Sequence, residues 1–211
     1  MSSQFSYTDL YDCQRYQYEV PSCYTTVYLS DLKVSHKDPF DITFFAQYLS
    51  TKYGEQLSVK RGRVHEYIGM DLDYYTKGGV QIGMNKYLQK VEDKFPEHIL
   101  GTAKSPAGEH LFQVHEDTEP QKQYLKETRA SQFHRVVAQL LFLSSRARLD
   151  IQTTVSFLTS HVRKPVEDDW GKLVRCMTYL KGTKYMKLTL TVDTMSIIKW
   201  WVDASHNTHM D

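Results

Sequence analysis

The stretch at 25–35 has a pattern suited to metal chemistry but supplies only part of the ligands. It reads TTVYLSDLKVS and predicts two short strands joined by a turn, with Ser30 and Asp31 at the turn. An acidic residue on a hairpin turn can hold a divalent cation, and metal-dependent chemistry on phosphates uses two carboxylates close together. Because only Asp31 is acidic, the residues of this turn predict an incomplete metal site.

Two other groups of residues could bind a metal. The HNTH segment at 206–209 lies close to Asp203 and Asp211 and offers zinc ligands. On an extended strand its two histidines would face opposite sides, which argues against zinc. Asp71 and Asp73 alternate onto one face of a predicted strand and imitate a carboxylate pair. We expect solvated surface residues at both places.

The composition is that of an ordinary globular protein. The chain has 211 residues, a net charge of +1, 41% hydrophobic and 24% charged residues, and three cysteines. No C-x-x-C pair occurs, which predicts a reducing compartment. The N-terminus shows no signal-peptide pattern, and no apolar run approaches the ~20 residues of a membrane span. We therefore expect an intracellular protein, cytoplasmic or nuclear, without a membrane partner.

Charge is unevenly distributed along the chain. Residues 1–131 contain 15 Lys/Arg and 18 Asp/Glu, residues 132–187 contain 10 and 4, and residues 188–211 contain 1 and 3. The basic middle segment could form a footprint for nucleic acid. The alternative, a solvated helical surface, is favoured on charge alone because the excess is modest.

The periodicity of apolar residues predicts an α+β fold. The pattern gives a hairpin at 23–35, a helix at 38–54, strands at 65–75 and 80–84, a helix at 85–95, a loop at 97–130, helices at 131–147, 150–162 and 165–182, and strands at 185–192 and 196–203. We expect Asp38 and Asp150 to cap the N-termini of their helices. The last two strands are predicted to form a terminal hairpin, which is marginal alone.

Several blocks, in this order, resemble the C-terminal part of a copia-type LTR-retrotransposon polyprotein. The blocks are VYLSDLKVS, EYIGMDLDY with VQIGMNKYLQKV, TAKSPA, FHRVVAQLLFLSSRARLDIQTTVSFLTSHV, DWGKLVRCMTYLKGT and WWVDAS. The resemblance runs from about Tyr24 to the end. It implies the following parts: an uncovered tail at 1–23, a partial palm and primer-grip region at 24–96, a linker at 97–130, thumb and connection helices at 131–183, and the start of a ribonuclease H fold at 184–211.

The resemblance also implies where metals would act. YLSD occupies the place of the reverse transcriptase motif Tyr/His-x-Asp-Asp, so Asp31 matches the second aspartate and Ser30 replaces the first. Asp203 matches the first metal-binding carboxylate of ribonuclease H. The family cofactor is Mg²⁺, which favours carboxylate oxygens over a neutral hydroxyl. We expect both metal sites to be degenerate, since the matching upstream palm and the later ribonuclease H carboxylates are also missing from the sequence.

Nucleic-acid contacts carry over from the same resemblance. Gly69 fits where the backbone would lie close to a primer strand. The remaining candidates are basic side chains of the thumb-like helices, which would contact phosphates. They are Arg135, Arg146, Arg148, Lys172 and Arg175. At 148–150 the family usually has Arg-Pro-Asp, and here Leu149 replaces the proline.

These features predict a fragment of a retrotransposon reverse transcriptase joined to ribonuclease H that catalyses neither reaction by itself. We expect that Ser30→Asp would not restore synthesis, because the upstream palm is missing. The alternative is a non-enzymatic nucleic-acid-binding remnant that uses the basic helices at 131–182. A third hypothesis is a pseudogene product that folds poorly. The expected partners are a template-primer duplex of RNA or DNA and the rest of a polyprotein.

Overall fold

The computed structural model describes residues 24–28, 31–36, 38–54, 58–76, 78–113, 123–192 and 194. The chain divides into two compact units, Met1–Ile68 and Gly69–Asp211. Within the described residues, no helix is both long enough and apolar enough to cross a membrane.

The first unit contains the hairpin that carries Asp31. Strands β1 (Tyr24–Tyr28) and β2 (Asp31–Ser35) pair in antiparallel fashion, with Tyr28 opposite Asp31. The sequence pattern predicts Asp31 as the second residue of the turn, but the structure places it in the strand that follows. Asp31 is the first residue of β2, because antiparallel partners that close a two-residue connection lie three residues apart. Helix α1 (Pro39–Tyr53) and strand β3 (Val64–Tyr67) follow.

Both ends of α1 are set by local chemistry, as predicted. Asp38 accepts a hydrogen bond from the backbone N–H of Phe40 at 2.8 Å, and Pro39 begins the helix. At the other end Gly54 has a φ of 79°, and its N–H donates to the carbonyl of Ser50. The predicted helix at 38–54 is confirmed.

The sheet of the second unit includes a strand from far along the chain. Strands β4 (Met70–Thr76), β5 (Gly79–Gly83) and β6 (Leu188–Thr191) lie in that order and pair in antiparallel fashion. Sequence analysis paired the strand at 185–192 with 196–203, a stretch that lies outside the described residues. β6 pairs with β5 and is therefore the third strand of this sheet, which the sequence did not predict. Its expected pairing with 196–203 remains a prediction.

Among the described residues of the second unit, four helices accompany the sheet. They are α2 (Asn85–Asp93), α3 (Glu127–Ser144), α4 (Gln152–Ser160) and α5 (Glu167–Gly182), with a 3₁₀ turn at Leu149–Ile151. The predicted helices are present, but α3 begins at Glu127 rather than at 131. Its first turn has no side-chain cap to mark it in the sequence.

One apolar cluster forms the core of this unit. It draws on all four helices and buries their apolar stripes, as predicted. Leu141 adjoins the buried stripe of α3 but is 45% exposed. The most deeply buried large side chains are Leu88, Val91, Phe133, Val136, Val137, Leu140, Leu143, Ile151, Leu158, Leu173, Met177 and Leu180.

The segment at 97–130 was predicted to be a linker, but its described residues, 97–113 and 123–130, contribute to the packed core. Ile99, Leu111 and Leu125 are all buried in the apolar cluster. The N–H of Leu125 also donates to the carbonyl of Pro165 at 2.9 Å. The prediction was wrong because single apolar residues among polar ones show no periodicity.

Candidate nucleic-acid interface

The structure describes only part of the expected metal site at the hairpin. Asp31 opens β2, while Ser30 and Asp203 lie outside the described residues. One carboxylate and one neutral hydroxyl do not fit a pair of Mg²⁺ ions, which need several anionic oxygens. Within the described part of the chain, no three His, Cys, Asp or Glu residues are grouped as metal ligands. We therefore derive no step through a metal.

The aspartate pair on β4 lies beside a buried residue, as alternation requires. Leu72 is buried, and Asp71 and Asp73 on either side of it are half-buried. Asp71 lies 4.0 Å from the ammonium of Lys86, a contact between partly exposed groups. Such a pair contributes little to stability.

Arg148, a predicted phosphate contact, is buried and bound within the protein. Its side chain is 3% exposed. Nε donates to Asp150 Oδ1 at 3.0 Å and Nη2 to Asp150 Oδ2 at 2.8 Å. The guanidinium also donates to the carbonyl of Thr183 at 3.1 Å and to its hydroxyl at 2.6 Å. Arg148 therefore joins the start of α4 to the end of α5 and is not accessible to a phosphate.

Asp150 was expected to cap a helix but serves this buried cluster. Its Oδ2 accepts a hydrogen bond from the hydroxyl of Tyr179 at 2.8 Å. Burial raises the pKa of Asp150, but hydrogen bonds from Arg148 and Tyr179 and the charge of Arg148 outweigh it, so the net pKa is lowered. The pKa of Tyr179 is raised by burial and by its bond to this carboxylate. Both pKa shifts favour an ionised Asp150, paired with Arg148, and a protonated Tyr179.

Lys172 is likewise held inside the second unit. Its side chain is 8% exposed, and Nζ donates to the carbonyl of Gln113 at 2.7 Å. The same ammonium lies 2.9 Å from Asp168 Oδ2 and 4.7 Å from the ring centre of Phe157. From its position within α5, Lys172 was expected to be an exposed phosphate contact. Its ammonium group instead binds partners within the second unit.

Two further lysines of the basic segment also join distant parts of the unit. Lys181 donates to the carbonyl of Ile99 at 2.6 Å, and Lys184 lies 2.9 Å from Glu92 Oε2 and also binds Gln89. Four of the basic side chains between 132 and 187 therefore have structural partners: Arg148, Lys172, Lys181 and Lys184. The positive charge available to a ligand is smaller than the sequence indicated.

A second internal cluster surrounds Trp170. Its indole N–H donates to Glu97 at 2.8 Å, and its ring stacks on Phe95 with ring centres 5.8 Å apart. Arg129 lies 4.4 Å over the same ring and pairs with Glu97 at 2.7 Å and Glu167 at 3.2 Å. The sequence did not predict this cluster, because its members lie after α2, in α3 and in α5, far apart along the chain.

The N-terminus of α5 is capped by an acidic side chain. Asp169 is 2% exposed, and its Oδ2 accepts from the N–H of Val166 at 2.9 Å. Its Oδ1 lies 2.7 Å from Nδ1 of His161. An acidic residue at the third helical position can supply one half of a capping box, but Val166 at the N-cap has no side-chain oxygen for the other half. The sequence therefore lacks the full signature, and neither this cap nor its histidine partner was predicted.

Gly69 has a local reason to be glycine. Its φ is 71° and that of the preceding Ile68 is 51°, so two consecutive residues have left-handed backbone. This is the requirement of a tight two-residue turn, in which glycine is favoured. The expected contact with a primer strand remains a prediction.

Three of the five predicted basic contacts remain at the surface. Arg135 and Arg175 are exposed, and Arg146 is half-buried. Arg175 donates to the hydroxyl of Ser105 at 3.1 Å. Arg146 lies 3.7 Å over the ring of Phe142.

Arg135 and Phe142 line an open groove, which we name the α2–α3 groove. Its lining residues are Tyr87 of α2 and Ser131, His134, Arg135, Ala138, Gln139 and Phe142 of α3. The α3 members recur at helical spacing beside the buried stripe, and Phe142 among them also packs against the core. Small residues at 131 and 138 leave room along the helix.

Aromatic rings form one wall of the α2–α3 groove. Tyr87 and Phe142 have ring centres 5.1 Å apart at an interplanar angle of 36°. The hydroxyl of Tyr87 donates to the carbonyl of Gln139 at 3.3 Å, which fixes the ring. Burial raises the pKa of Tyr87, and the nearby Arg146 charge only partly opposes this. The groove therefore combines the guanidinium of Arg135, a histidine and two rings, and Arg146 lies beside it over Phe142. These are residue types that bind nucleic-acid strands.

The chain is similar to a transposon protein over most of its length. It is 25% identical over 185 residues to a Saccharomyces cerevisiae protein named for the transposon Ty5-1. The match covers 87% of this chain but 56% of the yeast protein, so the chain spans little more than half of that protein. No protein-family model matches the chain, and no solved structure matches it significantly. The similarity supports a transposon-related origin.

Proposed function

We propose that the chain is a palm-to-thumb portion of a retrotransposon reverse transcriptase that binds nucleic-acid duplex without extending a primer. The similarity to the Ty5-1 protein supports the transposon origin. The ordered blocks from YLSD to WWVDAS support the reverse transcriptase assignment.

The α2–α3 groove is the observation that carries the binding proposal. Arg135 and Arg146 are separated by eleven positions, roughly 16 Å at the rise of an α-helix. They therefore reach different phosphates of a strand, and Phe142 lies between them. Neither guanidinium has a carboxylate partner among the contacts that the structure describes. Their charge remains available to phosphates, unlike that of Arg148 and Lys172.

The proposal of an inactive site follows from the donor set at the hairpin. In-line nucleotide transfer needs metal ions that activate the attacking hydroxyl and stabilise the leaving group. Asp31 supplies one carboxylate, and the serine before it is a weak ligand for a hard cation. The hairpin thus cannot hold the metal pair that the reaction requires.

Binding is tested by fluorescence anisotropy with a labelled 20-base-pair RNA–DNA hybrid over a salt series. The wild-type chain should bind at low salt and weaken steeply as salt rises. Arg135→Ala/Arg146→Ala should reduce the slope of log affinity against log salt by about 1.8 for two lost phosphate contacts. Absence of binding at low salt would refute the proposal.

A matched control removes the same charge elsewhere. Arg163 and Lys164 are exposed and line neither the α2–α3 groove nor the helices' buried faces. Arg163→Ala/Lys164→Ala should leave the salt slope within ~0.5 of wild type. An equal loss in both double variants would mean that net charge, not the groove, governs binding.

Catalysis is tested separately by primer extension on the same hybrid with Mg²⁺ and with Mn²⁺. We expect no added nucleotide. Robust extension would contradict the inactive-site part of the proposal and leave the binding part unaffected.

A further inference from the structure

We infer that Ser105 is a phosphorylation site and that Arg175 of α5 binds the phosphate once it is attached. In the whole sequence one serine or threonine is followed directly by proline, and it is Ser105, before Pro106. A serine before proline is the acceptor that proline-directed protein kinases recognise. This inference goes beyond the proposed function, because neither Ser105 nor Arg175 lines the α2–α3 groove or belongs to the hairpin.

The segment at 99–113 lies along α5 and runs in the opposite direction. Each of the three basic residues of α5 between 171 and 182 donates a hydrogen bond to this segment. In order along the segment, the contacts are Lys181 with the carbonyl of Ile99 at 2.6 Å, Arg175 Nη2 with the hydroxyl of Ser105 at 3.1 Å, and Lys172 with the carbonyl of Gln113 at 2.7 Å. Of these three acceptors, the hydroxyl of Ser105 is the one that a kinase can modify.

The charge around Ser105 favours an added anion. The stretch of α5 at 171–182 contains no Asp or Glu. The segment at 99–113 adds one basic and one acidic residue, Lys104 and Glu109, and both are exposed. Arg175 is exposed, and the contact that the structure describes for it, to Ser105, uses one of its five N–H donors. A phosphate at this position therefore meets a guanidinium with donors still available.

The residues around Ser105 can leave the surface without large losses. Residues 101–107 are in neither a helix nor a strand, and they make no backbone–backbone hydrogen bond to another described residue. Ala103 and Ala107 pack partly against the core, but their side chains are small. Ser105 is half-buried, and its hydroxyl donates to the carbonyl of Ala107 at 2.8 Å. Local opening of this stretch therefore presents the extended peptide that a kinase binds.

The modification is a phosphoryl transfer from a nucleoside triphosphate bound with Mg²⁺ to the kinase. Ser105 Oγ attacks the γ-phosphorus, the bond from this phosphorus to the β–γ bridging oxygen breaks, and the nucleoside diphosphate leaves. The hydroxyl proton passes to a carboxylate of the kinase. The phosphoserine carries a charge of about −1.5 to −2 and can no longer donate to Ala107. The guanidinium of Arg175 binds two phosphate oxygens in parallel, which fixes the segment against α5.

The acceptor is tested on the full chain with a purified proline-directed kinase and Mg²⁺-ATP, and mass spectrometry of the digested protein locates the phosphate. We expect phosphate on Ser105 of the wild-type chain, and none at position 105 in Ser105→Ala or Pro106→Ala. A synthetic peptide of residues 99–111 is treated in parallel. Phosphorylation of the peptide but not of the chain would overturn the inference, because the folded protein then hides the hydroxyl. Absence of phosphate on both would overturn it as well.

The role of Arg175 is tested by ³¹P NMR of the phosphorylated chain over a pH series. The second pKa of a free phosphoserine is about 6. It should fall by about 0.5 or more in the wild-type chain, because a neighbouring guanidinium favours the doubly charged phosphate. Arg175→Gln should return this pKa to about 6. Arg163→Gln, which removes an exposed arginine outside α5, is the matched control and should leave the pKa lowered.

Equal phosphoserine pKa values in wild type and Arg175→Gln would overturn the phosphate contact, as would an equal change in the Arg163→Gln control. Thermal melting of each variant before phosphorylation checks that the fold is retained. No nucleic acid takes part in these measurements. Their failure therefore leaves the proposed duplex binding unaffected, and failure of duplex binding leaves the phosphorylation site unaffected.

Discussion

Arg148 and Asp150, two residues apart, face each other through two parallel hydrogen bonds of 3.0 and 2.8 Å. The pair lies at the start of α4 and reaches across to Tyr179 and Thr183 near the end of α5. Two-pronged arginine–carboxylate pairs have fixed geometry and strong bonds. The RLD segment at 148–150 therefore links the start of α4 to the end of α5. Leu149, which lies between the two paired residues, is 49% exposed.

Breaking this pair should destabilise the protein strongly. Arg148→Ala leaves the partly exposed carboxylate of Asp150 and the oxygens of Thr183 without their donor, and loss of hydrogen bonds to a charged group costs about 1.5–3 kcal/mol. Urea unfolding followed by circular dichroism measures the change. Arg148→Lys should recover less than half, since an ammonium cannot make both bonds.

The matched control for that experiment is Arg135→Ala, which removes an exposed arginine from α3. It should change the free energy of unfolding by no more than about 0.5 kcal/mol. A loss below ~1 kcal/mol for Arg148→Ala would contradict a structural role for the pair.

Acid stability should depend on Asp150. Its pKa in the folded protein lies below the usual 3.8, so the unfolded chain binds this proton more readily. The stabilisation is fully present above pH 3.8 and is lost as the pH falls below that value towards the folded pKa. Asp150→Asn should be less stable at neutral pH, and its stability should fall less steeply between pH 4 and the acid transition. If the wild-type protein and Asp150→Asn lose stability in parallel as the pH falls, the lowered pKa of Asp150 is contradicted. Melting temperatures over a pH series provide the measurement.

Cys176 should be inert until the second unit opens. It is fully buried, and burial raises its pKa to about 12. The thiolate is the reactive species, so a thiol reagent at pH 8 meets almost none of it. In a Cys13→Ser/Cys23→Ser background, reaction with an aromatic disulfide reagent should be at least 100-fold slower in buffer than in 6 M urea. Rapid labelling of the folded protein would show that the core around α5 is loose.

Removing the cap of α5 should have an intermediate effect. Asp169→Ala deletes the acceptor for the N–H of Val166 and the partner of His161, which together should cost about 2 kcal/mol. Glu167→Ala removes an acid of the same turn that is exposed and serves as the matched control. The control should lose under 1 kcal/mol. Equal losses would mean that the helix dipole, rather than the cap, favours acidic residues here.

Local sequence signals predicted the helices and strands. Contacts between residues far apart in the sequence could not be predicted in this way. Asp38, Pro39 and Gly54 fixed the limits of α1 because caps act over a few residues. The buried stripes of α3 and α5 followed from helical spacing. The partner of β6 did not, since strand pairing depends on which edges meet and not on neighbouring residues.

The site was partly predictable for a similar reason. Residue type marked Arg135 and Arg146 as candidates, and both are at the surface. It marked Arg148 and Lys172 equally well, because a sequence does not show which cations are buried with partners. The contact of Tyr87 with Phe142 joins two helices and has no signature in either.

The pairing of β5 with β6 has a consequence during synthesis. Val80 lies opposite Leu190, about 110 residues later. A growing chain that has completed β4 and β5 therefore exposes one side of β5, with unpaired N–H and C=O groups, until almost the whole second unit has left the ribosome. That open edge can pair with a neighbouring nascent chain, so yield on expression should depend on how quickly the last strand arrives.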